Sequence, residues 1–419
     1  MVSTNDTTEP REITASFRDE DGTSEFTITL QENSDATKPP SFVKISKRST
    51  TPPNAPDTSS QRETHVVLSV GSGDRQAENF FQNVVTPILS TAIYGDEGLS
   101  NLKIHTTTSA TTISELTQNT FFPAANSKKP LRIILLSGDG GIVDLVNGLL
   151  SQPQSDAYIS PEVVLLPLGT ANALYHSINA GKSMTWGIDA LSPSTTIAKP
   201  LPVFTATFSP GARLLVDEAR SEEALPKNDQ GNGILHGAVV ASWGMHASLV
   251  GDSDTAHYRQ YGVERFKMAA KEALYPADGS LPHPYKASVS VLKGGEWKEM
   301  EEKEHMYVLA TLVSNLEQPF CISPKSRPLD GSMHLVHFGP RSGDDVMRIM
   351  GLAYQGGKHV DDEHVRYESI DGLRIQFQGM EEEAKWRRIC IDGKIVRVDA
   401  NGWVEITKDE KRVLDVVVA

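Results

Sequence analysis

The sequence predicts a Rossmann-like three-layer α/β domain followed by an antiparallel β-sandwich. In residues 63–200, short apolar runs alternate with helix-like segments, and each run ends in a turn rich in Gly, Ser or Thr. From about residue 201 many short strand-like segments follow one another with few helices between them, which is typical of a sandwich or barrel. The length of 419 residues also exceeds what one core usually fills.

Residues 1–62 form a separate N-terminal arm, rich in Ser, Thr, Asp, Glu and Pro. Within it, residues 13–17 and 26–30 alternate apolar and polar side chains on either side of the turn-like residues 19–22, as in a β-hairpin. Two interpretations stay open: a hairpin docked on a later sheet, or a disordered arm. Residues 48–63, with several prolines, are typical of a linker.

The α/β pattern is organised around residues 131–136, where five of six residues are apolar, as in a strand buried on both faces. A turn of Gly138, Asp139, Gly140 and Gly141 follows, and residues 142–150 then show helical spacing of apolar side chains. A glycine turn at a helix N-terminus favours anion binding. Asp139 would repel an anion there unless it bound a metal ion or accepted a proton, which suggests phosphoryl-transfer chemistry.

Three further strands accompany this one, at residues 66–70, 102–104 and 162–167. Helices are expected over residues 77–89 and 110–116. Because the carboxyl ends of parallel strands meet at one edge of the sheet, the loops after these strands should form the ligand site.

The second half contains eight strand-like segments and one helix-like interruption, at about residues 258–273. The strand-like segments are residues 203–208, 237–242, 287–291, 306–311, 334–338, 373–377, 388–391 and 403–406.

Composition excludes several functions. The net charge of −14 argues against sequence-independent nucleic-acid binding. With only Cys321 and Cys390 there is no disulfide framework, which favours a reducing, cytoplasmic location. Residues 1–6 lack the apolar segment of a secretory signal, and no apolar run approaches the length of a membrane span, so membrane contact should be peripheral. The histidines lack zinc-site spacing.

Several ordered motifs resemble the diacylglycerol kinase-like catalytic domain, which diacylglycerol, sphingosine and ceramide kinases share. The main ones are residues 137–140 (Ser-Gly-Asp-Gly), 146–149 and 167–174. Weaker matches lie at residues 72–73, 258–266, 322–324, 329–331 and 391–393, so the resemblance covers residues 64–406. The sphingosine kinase branch is the most similar. The resemblance implies a nucleotide-binding α/β domain at residues 63–200, a lipid- and nucleotide-binding sandwich at residues 201–419, and ATP in the cleft between them.

The resemblance also implies roles for individual residues. Asp139 would be the catalytic base; its alternative role is to cap the helix that starts near Ile142. Asp139, Asp144 and Asp392 would hold Mg²⁺, which suits carboxylate oxygens. Ser248 would contact the lipid. The implied nucleotide-binding residues are Ser72, Gly73, Thr107, Gly138, Gly140, Asp144, Gly169, Thr170, Asn172, Arg259, Arg265, Asp392 and Gly393.

Simpler interpretations of these residues stay open. Asp144 could only complement a helix dipole, Asn172 could only form a turn, and Asp392 with Gly393 could only form a hairpin turn. Arg259 and Arg265 could be solvated helix side chains.

Three departures from the family pattern lie near the expected ligands. The Asn-Pro that normally precedes the first glycine loop is absent. Ser248 stands where sphingosine kinases place an acid that meets the sphingoid amine. Lys394 follows Asp392 and Gly393 at the position where the family's Asp-Gly-Glu motif has Glu. These changes leave open an altered or reduced activity.

We therefore expect an ATP- and Mg²⁺-dependent lipid kinase that contacts a membrane surface peripherally and binds no nucleic acid. A sphingoid base is the first substrate expected, followed by ceramide or diacylglycerol. Two alternatives remain: an NAD kinase-type enzyme, and a degenerate kinase that binds lipid or nucleotide without turnover. The oligomeric state is left open.

Overall fold

The computed structural model of the protein describes residues 11–18, 23–50, 62–192 and 196–419. The turn at residues 19–22 and most of the expected linker lie outside these ranges. No helix within them has both the length and the apolarity needed to cross a membrane.

The strands of the described chain are short, and most carry buried apolar side chains. They are β1 (Glu12–Arg18), β2 (Ser24–Gln31), β3 (Ser41–Ser49), β4 (Glu63–Leu68), β5 (Lys103–Thr106), β6 (Leu131–Ser137), β7 (Glu162–Pro167), β8 (Ile197–Pro200), β9 (Val203–Phe208), β10 (Arg213–Val216), β11 (Ser221–Ala224), β12 (Gly233–Gly237), β13 (Val240–Gly244), β14 (Tyr285–Lys286), β15 (Ser288–Lys293), β16 (Glu296–Glu299), β17 (Glu304–His305), β18 (Tyr307–Thr311), β19 (Asn315–Glu317), β20 (Phe320–Cys321), β21 (Met333–Phe338), β22 (Arg366–Ile370), β23 (Gly372–Gln376), β24 (Arg388–Ile391), β25 (Lys394–Arg397), β26 (Trp403–Asp409) and β27 (Asp415–Val418).

The helices are α1 (Ala77–Phe80), α2 (Thr86–Ile88), α3 (Gly95–Leu99), α4 (Thr112–Leu116), α5 (Phe122–Ala125), α6 (Asp139–Leu150), α7 (Ala173–Ile178), α8 (Met245–Ser253), α9 (Ala256–Arg259), α10 (Glu264–Leu274) and α11 (Gly343–Ala353). Segments of π-helix, Phe81–Val85 and Leu89–Ile93, join α1 and α2 into one helical run, and Thr117–Phe121 joins α4 to α5 in the same way. The sequence predicted each run as one shorter helix.

The first sheet has the order β5-β4-β6-β7-β27-β8, with β5, β4, β6, β7 and β27 parallel. Its central strand β6 is buried because its side chains face covered layers on both sides, as the continuous apolar run predicted. At the strand's polar position, Arg132 donates to Glu162 on β7 at 2.9 Å. The last strand of the described chain, β27, also joins this sheet, between β7 and β8.

The N-terminal strands β1, β2 and β3 form an antiparallel sheet. Its inner face carries Ile13, Phe26, Ile28 and Leu30 into the core that also contains the helical run of residues 77–93. The segments that the sequence singled out as a hairpin are therefore packed against the α/β domain.

The C-terminal region consists mainly of two antiparallel sheets, with orders β11-β10-β25-β24-β13-β18-β21-β22 and β12-β9-β26-β23-β15-β16. The predicted fold class, an α/β domain followed by a β-rich domain, is confirmed. One continuous core extends from beneath the parallel sheet into these two sheets. Asn147 of α6 links the two parts, since it donates to the His236 carbonyl at 2.8 Å and accepts from the His236 N–H at 3.0 Å.

Candidate active site

A cleft of about 410 Å³ lies where the carboxyl ends of β4, β6 and β7 meet the turn between β24 and β25. Most of the predicted site residues line it: Ser72, Gly73, Gly138, Asp139, Gly140, Gly169, Thr170, Asn172, Arg265, Asp392 and Gly393. In the described chain, Thr107, Asp144, Ser248 and Arg259 are not part of this lining. The topology of a parallel sheet explains why its loops converge here.

The glycine loops after the strands are in direct contact. The Ser72 Oγ accepts a hydrogen bond from the Gly138 N–H at 3.2 Å. A Cβ atom on Gly169 would lie 2.4 Å from the Cα of Gly138, so a side chain cannot be placed there without moving backbone. A Cβ on Gly140 would meet nothing within 4 Å. Gly138 and Gly169 therefore serve the packing of the loops, whereas Gly140 borders open space where a ligand can approach.

Asn172 and Thr107 shape these loops. Asn172 has a left-handed backbone with φ of 54°, and its side-chain oxygen accepts from the Gly169 N–H at 2.8 Å. Its amide group donates back to the Gly169 carbonyl at 2.9 Å. The Thr107 Oγ1 accepts from the Val70 N–H at 3.1 Å, which positions the first loop from outside the cleft. Both side-chain hydrogen bonds of Asn172 therefore stay within its own turn, as the turn-forming interpretation predicted.

Asp139 begins α6 but caps a different helix from the one the sequence suggested. Its carboxylate accepts the Ala173 N–H at 2.7 Å and the Leu174 N–H at 3.0 Å, at the start of α7. Burial raises the pKa of Asp139, and the two backbone hydrogen bonds oppose this effect. Two donors leave part of the acceptor capacity of a carboxylate unused. Asp139 is therefore a fixed carboxylate that faces the cleft and retains the ability to accept a further hydrogen bond.

Asp392 approaches the same cleft from the second domain. It lies in the two-residue turn between β24 and β25, with φ of 47°, as the hairpin interpretation predicted. Its carboxylate accepts from the N–H groups of Ala238, Val239 and Val240. Burial, together with the negative charge of Asp139, raises the pKa of Asp392 to about 7 although the backbone donors oppose this.

The three acids expected to hold a metal ion do not form one cluster. Within the described ranges there is no group of three or more His, Cys, Asp or Glu side chains arranged to hold a metal ion. Asp144 instead pairs with Lys394, whose Nζ lies 2.8 Å from its Oδ1. Asp139 and Asp392 remain as two carboxylates facing one cleft, and their mutual repulsion favours a cation between them.

The two predicted arginines differ in their surroundings. Arg259 is 54% exposed and forms a two-point salt bridge with Asp254. The Arg265 side chain is 14% exposed and lines the cleft, and its Nε is buried without a hydrogen-bond partner in the described structure. Burial also lowers the pKa of Arg265. Arg265 also forms an ion pair with Asp254, over a longer 3.5 Å, and its Nε keeps an unused donor, whereas the Arg259 guanidinium is bound to Asp254 at two points.

The far side of the cleft is an apolar wall, a term we use for Leu249, Leu274, Leu316, Phe320, Met347 and Met350. These side chains come from α8, α10, α11 and the segment β19–β20. The sequence reasoning missed α11, although Ser342 caps it by accepting the Asp345 N–H and so provides a recognisable start signal. It also missed Glu317, which lies beside this wall and for which the sequence carries no signal.

Ser248 and His246 both lie on α8, on different sides. Ser248 is buried and accepts a hydrogen bond from the Tyr285 hydroxyl at 2.9 Å, away from the cleft. His246 lines the cleft, and burial lowers its pKa to about 4, so the ring is neutral near pH 7. Its Nδ1 lies 2.7 Å from the Ser242 Oγ. The structure thus places Ser248 out of reach of a ligand in this cavity.

Comparison with known proteins finds one similar domain and several similar chains. Residues 63–199 match the diacylglycerol kinase catalytic domain. The chain is 24% identical to mouse sphingosine kinase 1 over 261 residues, which cover 55% of this chain and 62% of that protein. It is 24% identical to human sphingosine kinase 1 over 279 residues, or 58% and 67%. The chain thus spans less than two thirds of the mouse relative's length.

A crystal structure of a diacylglycerol kinase from Bacillus anthracis str. Sterne matches with a TM-score of 0.51 at 12% identity, covering 85% of this chain and 96% of that one. This likeness shows the fold alone. The domain match and the two relatives show that residues 63–199 are similar to the diacylglycerol kinase catalytic domain and that the chain resembles the sphingosine kinases.

Proposed function

We propose that this protein is a lipid kinase that transfers the γ-phosphoryl group of ATP to a lipid hydroxyl, with a sphingoid base as the first substrate. One observation carries the proposal: Asp139, at the glycine-lined end of the cleft, shares a single cavity with the apolar wall. A phosphate-binding end and an apolar end in one cavity suit a substrate that has a hydroxyl group and a hydrocarbon chain.

Asp139 has the properties of a general base. Its two backbone hydrogen bonds fix the direction of the carboxylate, and its raised pKa makes it a better proton acceptor than an exposed aspartate. In the proposed reaction it takes the proton of the lipid hydroxyl, and that oxygen forms a bond to the γ-phosphorus. The bond from the γ-phosphorus to the bridging oxygen breaks, and ADP leaves.

The phosphates of ATP would lie against the glycine loops. Gly140 borders open space, and the close packing of the loops at Gly138 and Gly169 would hold backbone N–H groups at the edge of the cleft. Arg265 would add a positively charged donor through its unpartnered, buried Nε. This difference supports Arg265, rather than Arg259, as the phosphate-binding arginine of the pair.

A divalent cation also fits the cleft. Asp139 and Asp392 are carboxylates that face the same cavity, and Mg²⁺ is typically held by one or two carboxylates together with phosphates and water. When bound, Mg²⁺ would neutralise the charge of the triphosphate. Asp144 is paired with Lys394 and is therefore a weaker candidate ligand.

The test is a transfer assay with radiolabelled ATP and Mg²⁺, in which the purified full chain receives sphingosine, ceramide, diacylglycerol or NAD as acceptor. The expected product is a phosphorylated lipid, with most label in sphingosine phosphate. Label in NAD alone would replace the proposal with an NAD kinase. ATP binding without any labelled product would indicate a degenerate kinase.

A further inference from the structure

Two polar side chains of the cleft carry atoms that lack a hydrogen-bond partner in the described part of the protein. His246 on α8 and Tyr307 on β18 both line the cavity, with their ring centroids 5.9 Å apart and their planes nearly perpendicular. Among the described residues, neither His246 Nε2 nor the Tyr307 hydroxyl is hydrogen-bonded to protein. The proposed phosphoryl transfer gives neither of them a role. A polar group beside an apolar cavity costs free energy unless a ligand or water satisfies it.

Both side chains are held in place by their neighbours. His246 Nδ1 lies 2.7 Å from the Ser242 Oγ, so Nε2 is the ring nitrogen left for a ligand. Burial lowers the pKa of His246 to about 4, so near pH 7 the ring is uncharged and Nε2 either donates or accepts one hydrogen bond. The Tyr307 ring stacks on Phe338, with the two ring centroids 5.2 Å apart. Burial raises the pKa of Tyr307, so its hydroxyl keeps its proton.

His246 lies between the acidic end of the cleft and the apolar wall. On one side, its partner Ser242 follows Val240 by two residues along β13, and the Val240 N–H donates to the Asp392 carboxylate. Two residues of a strand span about 7 Å. On the other side, Leu249 of the apolar wall lies three residues later on α8, and side chains at this spacing are neighbours on one helix face. A ligand group at His246 would therefore lie where the polar head of a lipid meets its hydrocarbon chain.

We propose that His246 and Tyr307 bind a second hydroxyl group of the lipid substrate, at the start of its hydrocarbon chain. The inference rests on the proposed kinase function and adds a determinant of substrate choice within the same cleft. A hydroxyl group fits because it both donates and accepts. It can take the role opposite to that of Nε2 and still bond to the Tyr307 hydroxyl. A methylene group in the same place would leave both side chains unsatisfied.

Other polar groups match this pair less well. An ammonium group only donates hydrogen bonds, and an uncharged ring and a hydroxyl give it no compensating charge. A carbonyl oxygen only accepts, so it satisfies the pair in one tautomer of His246 and not in the other. A hydroxyl group fits both tautomers.

The test compares sphinganine with 4-hydroxysphinganine, which share the amine and the reacting hydroxyl and differ by one hydroxyl group on the chain. Binding is measured without ATP, with each lipid in the same mixed micelles, so that it does not depend on turnover. The wild-type chain should bind 4-hydroxysphinganine about fivefold or more tightly. Tyr307→Phe removes one hydroxyl, keeps the ring that stacks on Phe338, and should lose most of this preference. His246→Leu removes both ring nitrogens and should lose it as well.

Tyr285→Phe serves as the matched control. It also deletes the hydroxyl of a buried tyrosine, but one that donates to Ser248 away from the cleft, so it should retain the wild-type preference. Equal binding of the two lipids by the wild-type chain would overturn the inference. A preference that survives in Tyr307→Phe or in His246→Leu would overturn it too.

A parallel transfer assay with ATP separates the two proposals. A chain that prefers 4-hydroxysphinganine through this pair but forms no lipid phosphate supports the inference and contradicts the kinase function. A chain that phosphorylates both lipids with equal kcat/KM does the reverse.

Discussion

The Nζ atom of Lys394 lies 2.8 Å from Oδ1 of Asp144 and so joins the hairpin of β24 and β25 to helix α6. The two side chains are 30% and 13% exposed. Lys394 is the residue at which the resemblance to the family pattern breaks, since Glu is usual there. The ion pair between the two domains therefore includes a basic residue at a position where that pattern has an acid.

We expect Lys394→Ala to lower the free energy of unfolding by about 1 kcal/mol, because Asp144 loses its partner in a half-buried site. Asp144→Asn should cost a similar amount. The double variant should cost less than the sum of the two, which urea denaturation of all four proteins would measure as a coupling energy. Strictly additive losses would show that the pair contributes nothing.

Asp139→Asn should reduce phosphoryl transfer by about 100-fold or more, because the base is lost. It should also cost about 1 kcal/mol of stability, since an amide NH₂ group replaces one acceptor at the start of α7. Ser342→Ala removes the cap of α11 at a similar cost and serves as the matched control. If Ser342→Ala loses as much activity as Asp139→Asn at equal stability, capping rather than base catalysis explains the effect.

Two glycines should respond to alanine in opposite ways. Gly169→Ala should destabilise the fold by about 2 kcal/mol or more, because its Cβ would lie 2.4 Å from the Cα of Gly138. Gly140→Ala should keep or slightly increase stability, since its Cβ meets nothing within 4 Å and the position is helical. If Gly140 borders the phosphates, its alanine variant should nevertheless raise the KM for ATP. Thermal unfolding and ATP titration of both variants would check this, and an unchanged KM would remove Gly140 from the ATP site.

The raised pKa of Asp392 predicts a dependence of stability on pH. The folded chain holds the proton up to about pH 7, whereas an unfolded aspartate releases it near pH 4. The stabilising contribution is therefore complete at low pH and is lost as the pH rises through 7. The free-energy difference between the wild type and Asp392→Asn should be about 2 kcal/mol more favourable to the wild type at pH 5 than at pH 8. A difference that grows with pH in urea titrations would mean that Asp392 is ionised in the fold.

Local patterns predicted much of this fold. The apolar run of β6 and the glycine turn after it determine a buried strand and the start of α6, and both are found as expected. The insertion of β27 next to β7 could not be predicted, because its partner lies about 250 residues earlier and no local pattern encodes the pairing. The same holds for α8 and α11, whose short apolar patterns gave no sign that they flank a cleft.

For a related reason, the sequence predicted some residues of the site and not others. Residues in the glycine loops are placed by the strands that precede them, so Asp139 and Gly169 reach the cleft as expected. Whether Asp144 faces a ligand depends on Lys394, which is distant in sequence and forms an ion pair with the Asp144 carboxylate. The direction of the Ser248 side chain depends on how α8 is rotated about its axis, and in this fold Ser248 faces Tyr285. Glu317 has no motif around it, and its position beside the apolar wall follows only from the folded structure.

The insertion of β27 between β7 and β8 has a consequence for biosynthesis. A ribosome releases this strand after all the other described strands. Until the second domain has been made, β7 therefore remains unpaired on one side and the first sheet is incomplete. A fragment of residues 63–200 would keep that open edge permanently, and β8 would have no neighbour. Such a fragment should self-associate through the exposed strand rather than fold as a monomer.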